Sequence, residues 1–164
     1  MIGRAMTGGS TFRDARARLA AAGVIVATST AGGLRGMTVT TFTPASLEPP
    51  QVLVCLDALA TAREAMVSAA SFTASLLAHD QQFLADRFAG QGPAPDARWS
   101  DIPHRLEEGL PVLTGCTGWF RCRVTSVHRA GDHDILLAAV LDCGTGTGEP
   151  LVYWERDYWS LAPT

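Results

Sequence analysis

The segment Arg129–Val140, RAGDHDILLAAV, sets a histidine between two aspartates at the mouth of an apolar run. An imidazole in that place can donate or accept a hydrogen bond near neutral pH, and a carboxylate beside it can hold its tautomer. Such a group suits the task of holding a small polar substrate at the end of a strand. A hairpin cap whose aspartate bonds the turn backbone, with the histidine merely solvated, has the same sequence. Hydroxyls form the second candidate set. TSTAGGLRGMTVTTF, ATARE and SFTAS carry threonines and serines on strands and turns. Where such hydroxyls converge with backbone N–H groups they can hold a phosphate beside an amphipathic ring. Threonine also simply favours strands. Arg35, in the AGGLRG turn, offers a guanidinium fork suited to phosphate oxygens, or is an exposed turn residue.

Other chemistries are set aside by what is missing. There is no G-x-S-x-G elbow, and His79, His104, His128 and His133 have no nucleophile presented in one. AGGLRG lacks the G-x-G-x-x-G spacing and leads into a strand, so a Rossmann site is not supported. Cys55, Cys116, Cys122 and Cys143 form no C-x-x-C pair and none stands near a histidine at zinc-ligand spacing, so no metal site is expected. They read as small core residues of a reducing compartment.

Scattered basic residues and a net charge of -3 leave no cationic stripe for nucleic acid. A chain of 164 residues, 47% hydrophobic, suits one domain with a sizeable core. The N-terminus has no apolar signal region, and the longest apolar run, Ile135 to Leu141, is too short to span a bilayer. A soluble, cytoplasmic protein without membrane contact is expected.

These groups need elements to position them. Residues 1–10 read as a flexible segment and 11–164 as a single domain. Phe12, Ala15, Leu19 and Ala22 recur at helical spacing up to Gly23, behind a weak capping pair of Thr11 and Asp14. VIVATST and GMTVTTF read as a hairpin with one threonine-rich face. The prolines 44, 49 and 50 bound a loop before QVLVCLD, whose unbroken apolar character predicts a strand buried on both faces. TAREAMVSAA predicts a helix, SFTASLL a strand and DQQFLADRFA a second helix. GQGPAPDARWSDIPHRLEEG is rich in Gly, Pro and charge, which predicts an excursion over the surface. GWFRCRVTSVH and DILLAAVLDC predict a long hairpin, and LVYWERDYWSL a final aromatic strand or hairpin. The sum is a mainly β fold: a closed or nearly closed antiparallel barrel with a few peripheral helices.

Taken in order, GMTVTTFTPASLEPPQVLVCLD, SFTASLL, LADRFA, RAGDHDILLAAV and PLVYW resemble the flavin reductase-like family, whose fold is the FMN-binding split barrel. The resemblance runs from about Phe12 to Leu161 and is narrower still toward the short-chain NAD(P)H:flavin reductases of two-component monooxygenases. It implies an antiparallel split β-barrel, FMN or FAD as the flavin, NADH or NADPH as the donor, a homodimer, and a monooxygenase partner that receives reduced flavin. It also implies site residues. Thr38, Thr40, Thr41 and Phe42, with Cys55, Leu56 and Asp57, would hold the isoalloxazine and ribityl chain, and Thr61, Ser71, Phe72 and Ser75 the phosphate. Gly131, Asp132 and His133 would lie beside the nicotinamide, with His133 touching the donor, and Tyr153, Trp154 and Arg156 would border the donor site; Arg35 is a candidate for the donor's pyrophosphate on its guanidinium chemistry alone. Leu59 and Ala62 depart from the polar residues common in the family, which implies a rearranged phosphate site. Hydride passes between stacked rings at roughly 3 to 3.5 Å, so positioning does much of the work and no protein nucleophile is required. A flavin carrier or sensor without turnover, and a flavin-containing reductase of ferric iron or another acceptor, are the rival readings on the same fold. For the dimer the sequence offers Trp119, Phe120 and the terminal aromatics as an apolar face needing cover.

Overall fold

The computed structural model describes residues 9–91 and 99–161. Helix α1 (Gly9–Ala17) and the short strand β1 (Ala21–Ala22) precede a hairpin of β2 (Val24–Thr30) and β3 (Gly33–Val39). Strands β4 (Thr43–Leu47) and β5 (Pro50–Asp57) lead to helix α2 (Thr61–Ala69) and strand β6 (Ser71–Leu76). Helix α3 (Gln82–Asp86) runs between a 3-10 turn at His79–Gln81 and a π-helical turn at Arg87–Gln91. Then come the hairpin β7 (His104–Glu107) and β8 (Leu110–Leu113), the long hairpin β9 (Gly118–Ala130) and β10 (His133–Thr145), and the short hairpin β11 (Val152–Trp154) and β12 (Asp157–Trp159).

Seven strands form one antiparallel sheet in the order β3-β2-β6-β9-β10-β5-β4. It coils around a core of Val24, Val26, Val52, Val54, Leu56, Phe72, Leu136 and Ala138, into which α2 sends Ala62 and Met66. Two register shifts in the β9–β10 pair, at Leu137/Ala138 and Val140/Asp142, supply the extra twist that curling such long strands requires. The ladder does not close. Strands β3 and β4 remain edges, and the barrel is split, as the family resemblance implies. Beyond β3, the Thr41 hydroxyl crosses the gap: it donates to the Cys55 carbonyl at 2.9 Å and accepts from the Cys55 N–H at 3.2 Å.

Double-sided burial falls on different strands from the one expected. In β5, Val52, Val54 and Leu56 are buried while Leu53, Cys55 and Asp57 face outward, the alternation of a strand with one covered face. Strands β2 and β6 are the ones covered on both sides. Val24 and Val26 point into the barrel, whereas Ile25 joins Leu84, Ala85, Phe88, Ile102 and Leu113 in a second core outside it. Strand β8 provides part of that cover; β7 lies within the stretch read as a surface excursion, and β8 directly follows it. Residues 92–98 of that stretch lie outside the described residues, but Ile102 is buried and Trp99 meets the Phe88 ring edge-on at 4.9 Å.

Helix α1 is shorter than its periodicity suggests and buries none of its residues. Arg18 and Leu19 turn out of it through N–H bonds to Ala15 and Arg16, and Ala21 and Ala22 then pair with Tyr153 and Val152. Of the segment read as flexible, residues 1–8 lie outside the described residues, and Gly9 and Ser10 open α1.

Candidate functional site

The threonine-rich end of β3, the end of β5, the start of β10 and the β11–β12 hairpin meet at one rim of the barrel. They enclose a cavity of about 410 Å³. Its polar groups are Thr38, Thr40 and Thr41 from the first segment, Asp57 from β5, and His133 from β10. Tyr153, Arg156, Asp157 and Tyr158 come from the last hairpin, Gln82 and Asp86 from α3, and Arg16 from α1.

His133 is fixed by pairing on both sides. It lies opposite Ala130 on β9 and opposite Asp57 on β5, and the two residues between the strands are Gly131 and Asp132. Gly131 takes φ of +66°, the left-handed value that a two-residue hairpin turn needs at its first position and that glycine adopts without penalty. The Ala58 N–H donates to the Asp132 carbonyl at 3.0 Å, which clamps this turn to the end of β5. The two aspartates then part. Asp132 stands in solvent, its Oδ1 2.8 Å from Nδ1 of His133. That bond, reinforced by the charge interaction, holds the Asp132 carboxyl below its usual range. Asp134 turns inward, is 2% exposed, and meets the guanidinium groups of Arg63 from α2 and Arg129 from β9. A buried carboxylate with two cationic partners ties α2 to the histidine turn.

The hydroxyls are oriented by the backbone they bind. Thr38 donates to the Ala85 carbonyl at 2.7 Å, so α3 is pinned against β3, and Thr41 bridges to Cys55. Asp57 accepts the Leu59 N–H at 2.8 Å, a side-chain turn that steers the chain into α2. The N-cap of α2 is Ala60, which supplies no side-chain acceptor. In its first turn the Arg63 N–H bonds the Ala60 carbonyl at 3.0 Å, which leaves the Thr61 and Ala62 N–H groups for an anion, beside a recess of about 330 Å³ that Thr38, Asp57 and Thr61 also line. Ala62 belongs to the core and also lines that recess, where it offers no polar group, and Leu59 stands 93% exposed at the lip.

The β11–β12 turn is strained. Glu155 and Arg156 adopt φ of +51° and +68°, a left-handed pair that costs non-glycine residues roughly 1–2 kcal/mol each. The turn persists because it is held from α1: the Glu155 N–H donates to the Ala17 carbonyl at 2.8 Å, and Arg156 pairs with Asp14 at 2.5 Å. In the same hairpin, burial first, then the charge of Asp86 and the neighbouring Tyr153, pushes the Tyr158 phenol up to about 12. It is a neutral O–H donor at working pH.

Of the residues expected at the site, the fold brings Thr38, Thr40, Thr41, Cys55, Asp57, His133, Tyr153 and Arg156 to one cavity, with Thr61 in the adjoining recess. Gly131 and Asp132 form the turn behind His133. The others lie elsewhere. Leu56 and Phe72 point into the barrel core, the face opposite Cys55 and Asp57. Phe42 packs on Phe120 with ring centroids 5.3 Å apart. Ser71 bonds the Ala69 carbonyl, and buried Ser75 accepts the Leu113 N–H at 3.1 Å, binding β6 to β8. Arg35 folds back on its own hairpin and donates to the Leu34 carbonyl. Trp154 packs edge-on against Trp159 at 5.4 Å. Arg16, Gln82, Asp86 and Tyr158 were not anticipated. Asp86 falls within LADRFA, but nothing local to α1 or β12 announces that Arg16 and Tyr158 converge on it.

The arrangement fits a flavin with a nicotinamide. The volume is that of a small-ligand pocket, its walls mix methyl-bearing threonines and tyrosine rings with hydrogen-bonding groups, and an open helix terminus lies next to it. Among the described residues no group of three or more His, Cys, Asp or Glu side chains could hold a metal ion, and no helix is long and apolar enough to cross a membrane.

Comparison with known proteins points the same way. The chain is 36% identical over 172 residues to the NADH:riboflavin 5'-phosphate oxidoreductase of Streptomyces pristinaespiralis, covering 98% of this chain and 93% of that protein. It is 33% identical over 154 residues to the FMN reductase (NADH) RutF of Ancylobacter novellus, covering 93% and 85%. Its fold superimposes with a TM-score of 0.84 on the styrene monooxygenase flavin reductase (SMOB) of Pseudomonas putida S12, at 30% identity over 93% of this chain and 98% of that one. With residues 16–162 matching the family described as flavin reductase like domain, the chain belongs to the flavin reductase-like family.

Proposed function

We propose that this protein reduces FMN with NADH and releases the reduced flavin to a separate monooxygenase. One observation carries the reading: His133, the Thr38–Thr41 segment, Tyr158 and Arg156, far apart in sequence, surround one cavity of about 410 Å³. The relatives named for NADH-dependent flavin reduction support the donor and the flavin, and the styrene monooxygenase flavin reductase supports the partner.

Placement supports the following roles. Backbone groups of Thr38 to Thr41, with Cys55 and Asp57, border the flavin ring and ribityl chain. Thr61 and the open first turn of α2 take the phosphate. His133, its tautomer held by Asp132, hydrogen-bonds the nicotinamide carboxamide and aligns the donor. Tyr158 stays protonated and offers a fixed donor at the cavity wall. When both ligands are bound the nicotinamide supplies a hydride and the flavin accepts it, so the protein's share is orientation and exclusion of water.

A homodimer and a cytoplasmic setting belong to the same proposal. Among the large apolar side chains, Phe12, Leu19, Trp159 and Leu161 are each about half exposed or more, and a second copy would cover such surface. Trp119 and Phe120 are already engaged, the first under Arg105 and the second by Phe42. The four cysteines are free thiols, in keeping with a reducing compartment.

Anaerobic stopped-flow absorbance at the oxidised flavin band tests the activity, with excess FMN or FAD mixed with NADH and then NADPH. Many turnovers per protein, fastest with NADH and FMN, are expected. Stoichiometric flavin binding without bleaching by either donor would make the protein a carrier or sensor instead.

A further inference from the structure

We infer that Asp134 is a positioning residue for flavin reduction, an inference that rests on reading the cavity as the flavin and nicotinamide site. Its buried carboxylate holds the first turn of α2 and the histidine turn at one fixed separation, so that a flavin seated on the helix meets a donor aligned by His133.

The pattern of β10 sets Asp134 apart. The inward positions of the strand are Asp134, Leu136 and Ala138, all buried, and Asp134 lies opposite Leu56 on β5 and Arg129 on β9. The period of the strand calls for an aliphatic side chain there. A carboxylate occupies the place instead and is 2% exposed. A buried ion pair is seldom more stable than apolar groups of the same size, because desolvation offsets the Coulomb attraction. Stability alone therefore does not account for the charge. What a carboxylate supplies and a methyl group cannot is direction.

Each oxygen of Asp134 is directed at a different element. Oδ2 accepts from Nε of Arg63 at 2.5 Å and also meets Nη2 of the same guanidinium, while Oδ1 meets Nε of Arg129 at 3.0 Å. Arg63 is the third residue of α2, so it directly follows the Thr61 and Ala62 N–H groups left for an anion. On the other side of those groups, the Ala58 N–H bonds the Asp132 carbonyl at 3.0 Å. The segment from Ala58 to Arg63 is thus fastened to the histidine turn at both ends, through the two residues that flank His133. Hydride transfer tolerates little error in ring placement, and a shift of about 1 Å can cost about a hundredfold in rate. Asp132 holds the imidazole tautomer; Asp134 holds the turn itself in place against the helix.

The test replaces the charges by an apolar pair in the full chain. In Asp134→Leu/Arg63→Met no guanidinium is left stranded inside, since the Arg129 side chain is 57% exposed and reaches water, so the fold is expected to persist. Its kcat/KM for NADH with FMN is expected to fall about tenfold. His133→Ala, which should cost about tenfold in the parent, should cost less than about twofold in this background, because a histidine no longer held in place has little left to lose. Arg63→Lys, which keeps a charge on Asp134 with a different reach, should fall between parent and double variant on both measures, and it carries the same cycle if the apolar pair does not fold. Exchange of the Ala58 amide with solvent reads the turn without any turnover. In the double variant it should quicken about tenfold beyond any change in the amides of β2, which open only with the whole fold.

Parental kcat/KM in the double variant, or a full His133→Ala loss within it, would make Asp134 a structural residue only. Ala58 exchange that quickens no more than that of β2 would overturn the inference by itself. A parent that reduces no flavin, with the selective change at Ala58 observed, would overturn the proposed activity and leave Asp134 as the tie that positions the turn.

Discussion

The Thr41 hydroxyl lies 2.9 Å from the Cys55 carbonyl oxygen and 3.2 Å from the Cys55 nitrogen, so a single side chain satisfies one residue of β5 across the split in the barrel. Removing it leaves a donor and an acceptor without their partner at a half-covered position. Thr41→Val is expected to lower unfolding free energy by about 1–2 kcal/mol, and Thr41→Ser to keep most of it. Urea denaturation of the three proteins checks this, and a Thr41→Val midpoint equal to the parent's would show that solvent replaces the bridge.

Asp134 predicts a larger effect. The carboxylate is buried between Arg63 and Arg129, and its loss strands two guanidinium groups, Arg63 among them largely covered. Asp134→Ala should destabilise the fold by about 3–5 kcal/mol, and Asp134→Asn by less. Unfolding by chemical denaturant with less than 1 kcal/mol lost, roughly the value of a surface pair, would show that the inward-facing pair is not the tie between α2 and the histidine turn.

His133 is predicted to act on the donor and not on the flavin. His133→Ala should reduce kcat/KM for NADH about tenfold, the value of one hydrogen bond to the reacting partner, while the FMN dissociation constant changes less than twofold. Asp132→Asn should fall between parent and His133→Ala. Unchanged steady-state kinetics in His133→Ala would remove the histidine from the site.

Tyr158 gives the pH dependence. Its folded value is raised, to about 12, by burial before any charge effect. The folded state therefore keeps the proton through a range where the unfolded chain, titrating near 10, has released it. The contribution of the neutral phenol is fully present below about 10 and is lost as pH rises through about 12. Spectrophotometric titration should show a late tyrosinate phase that Tyr158→Phe abolishes, and thermal stability should decline above pH 10 more steeply in the parent than in that variant. A parent titration complete by pH 11 would refute the raised Tyr158 phenol.

Local pattern decides several of the elements. VIVATST became β2 to the residue, and TAREAMVSAA and SFTASLL became α2 and β6 nearly so, because short-range period and β-branching decide those elements. The order of five motifs pointed to the family and the split barrel, and GDH pointed to a turn beside a cavity. Facing was another matter. Leu56 and Cys55 are neighbours in an apolar run, and only pairing with β10 decides which of them sees the cavity. Ser75 carries the same hydroxyl as any site serine, but β8 lies across it and takes the bond. The double burial expected of β5 belongs to β2 and β6 because β8, just after the Gly- and Pro-rich stretch, packs over them with α3. Arg16 was one charge on an exposed helix until contacts between α1 and the β11–β12 turn made it a wall of the cavity. Element identity and family membership are legible along the chain, since propensity and motif order are carried by adjacent residues. Only the tertiary structure decided which side chains share a cavity, since that depends on strand register, on the covered face, and on contacts between segments more than a hundred residues apart.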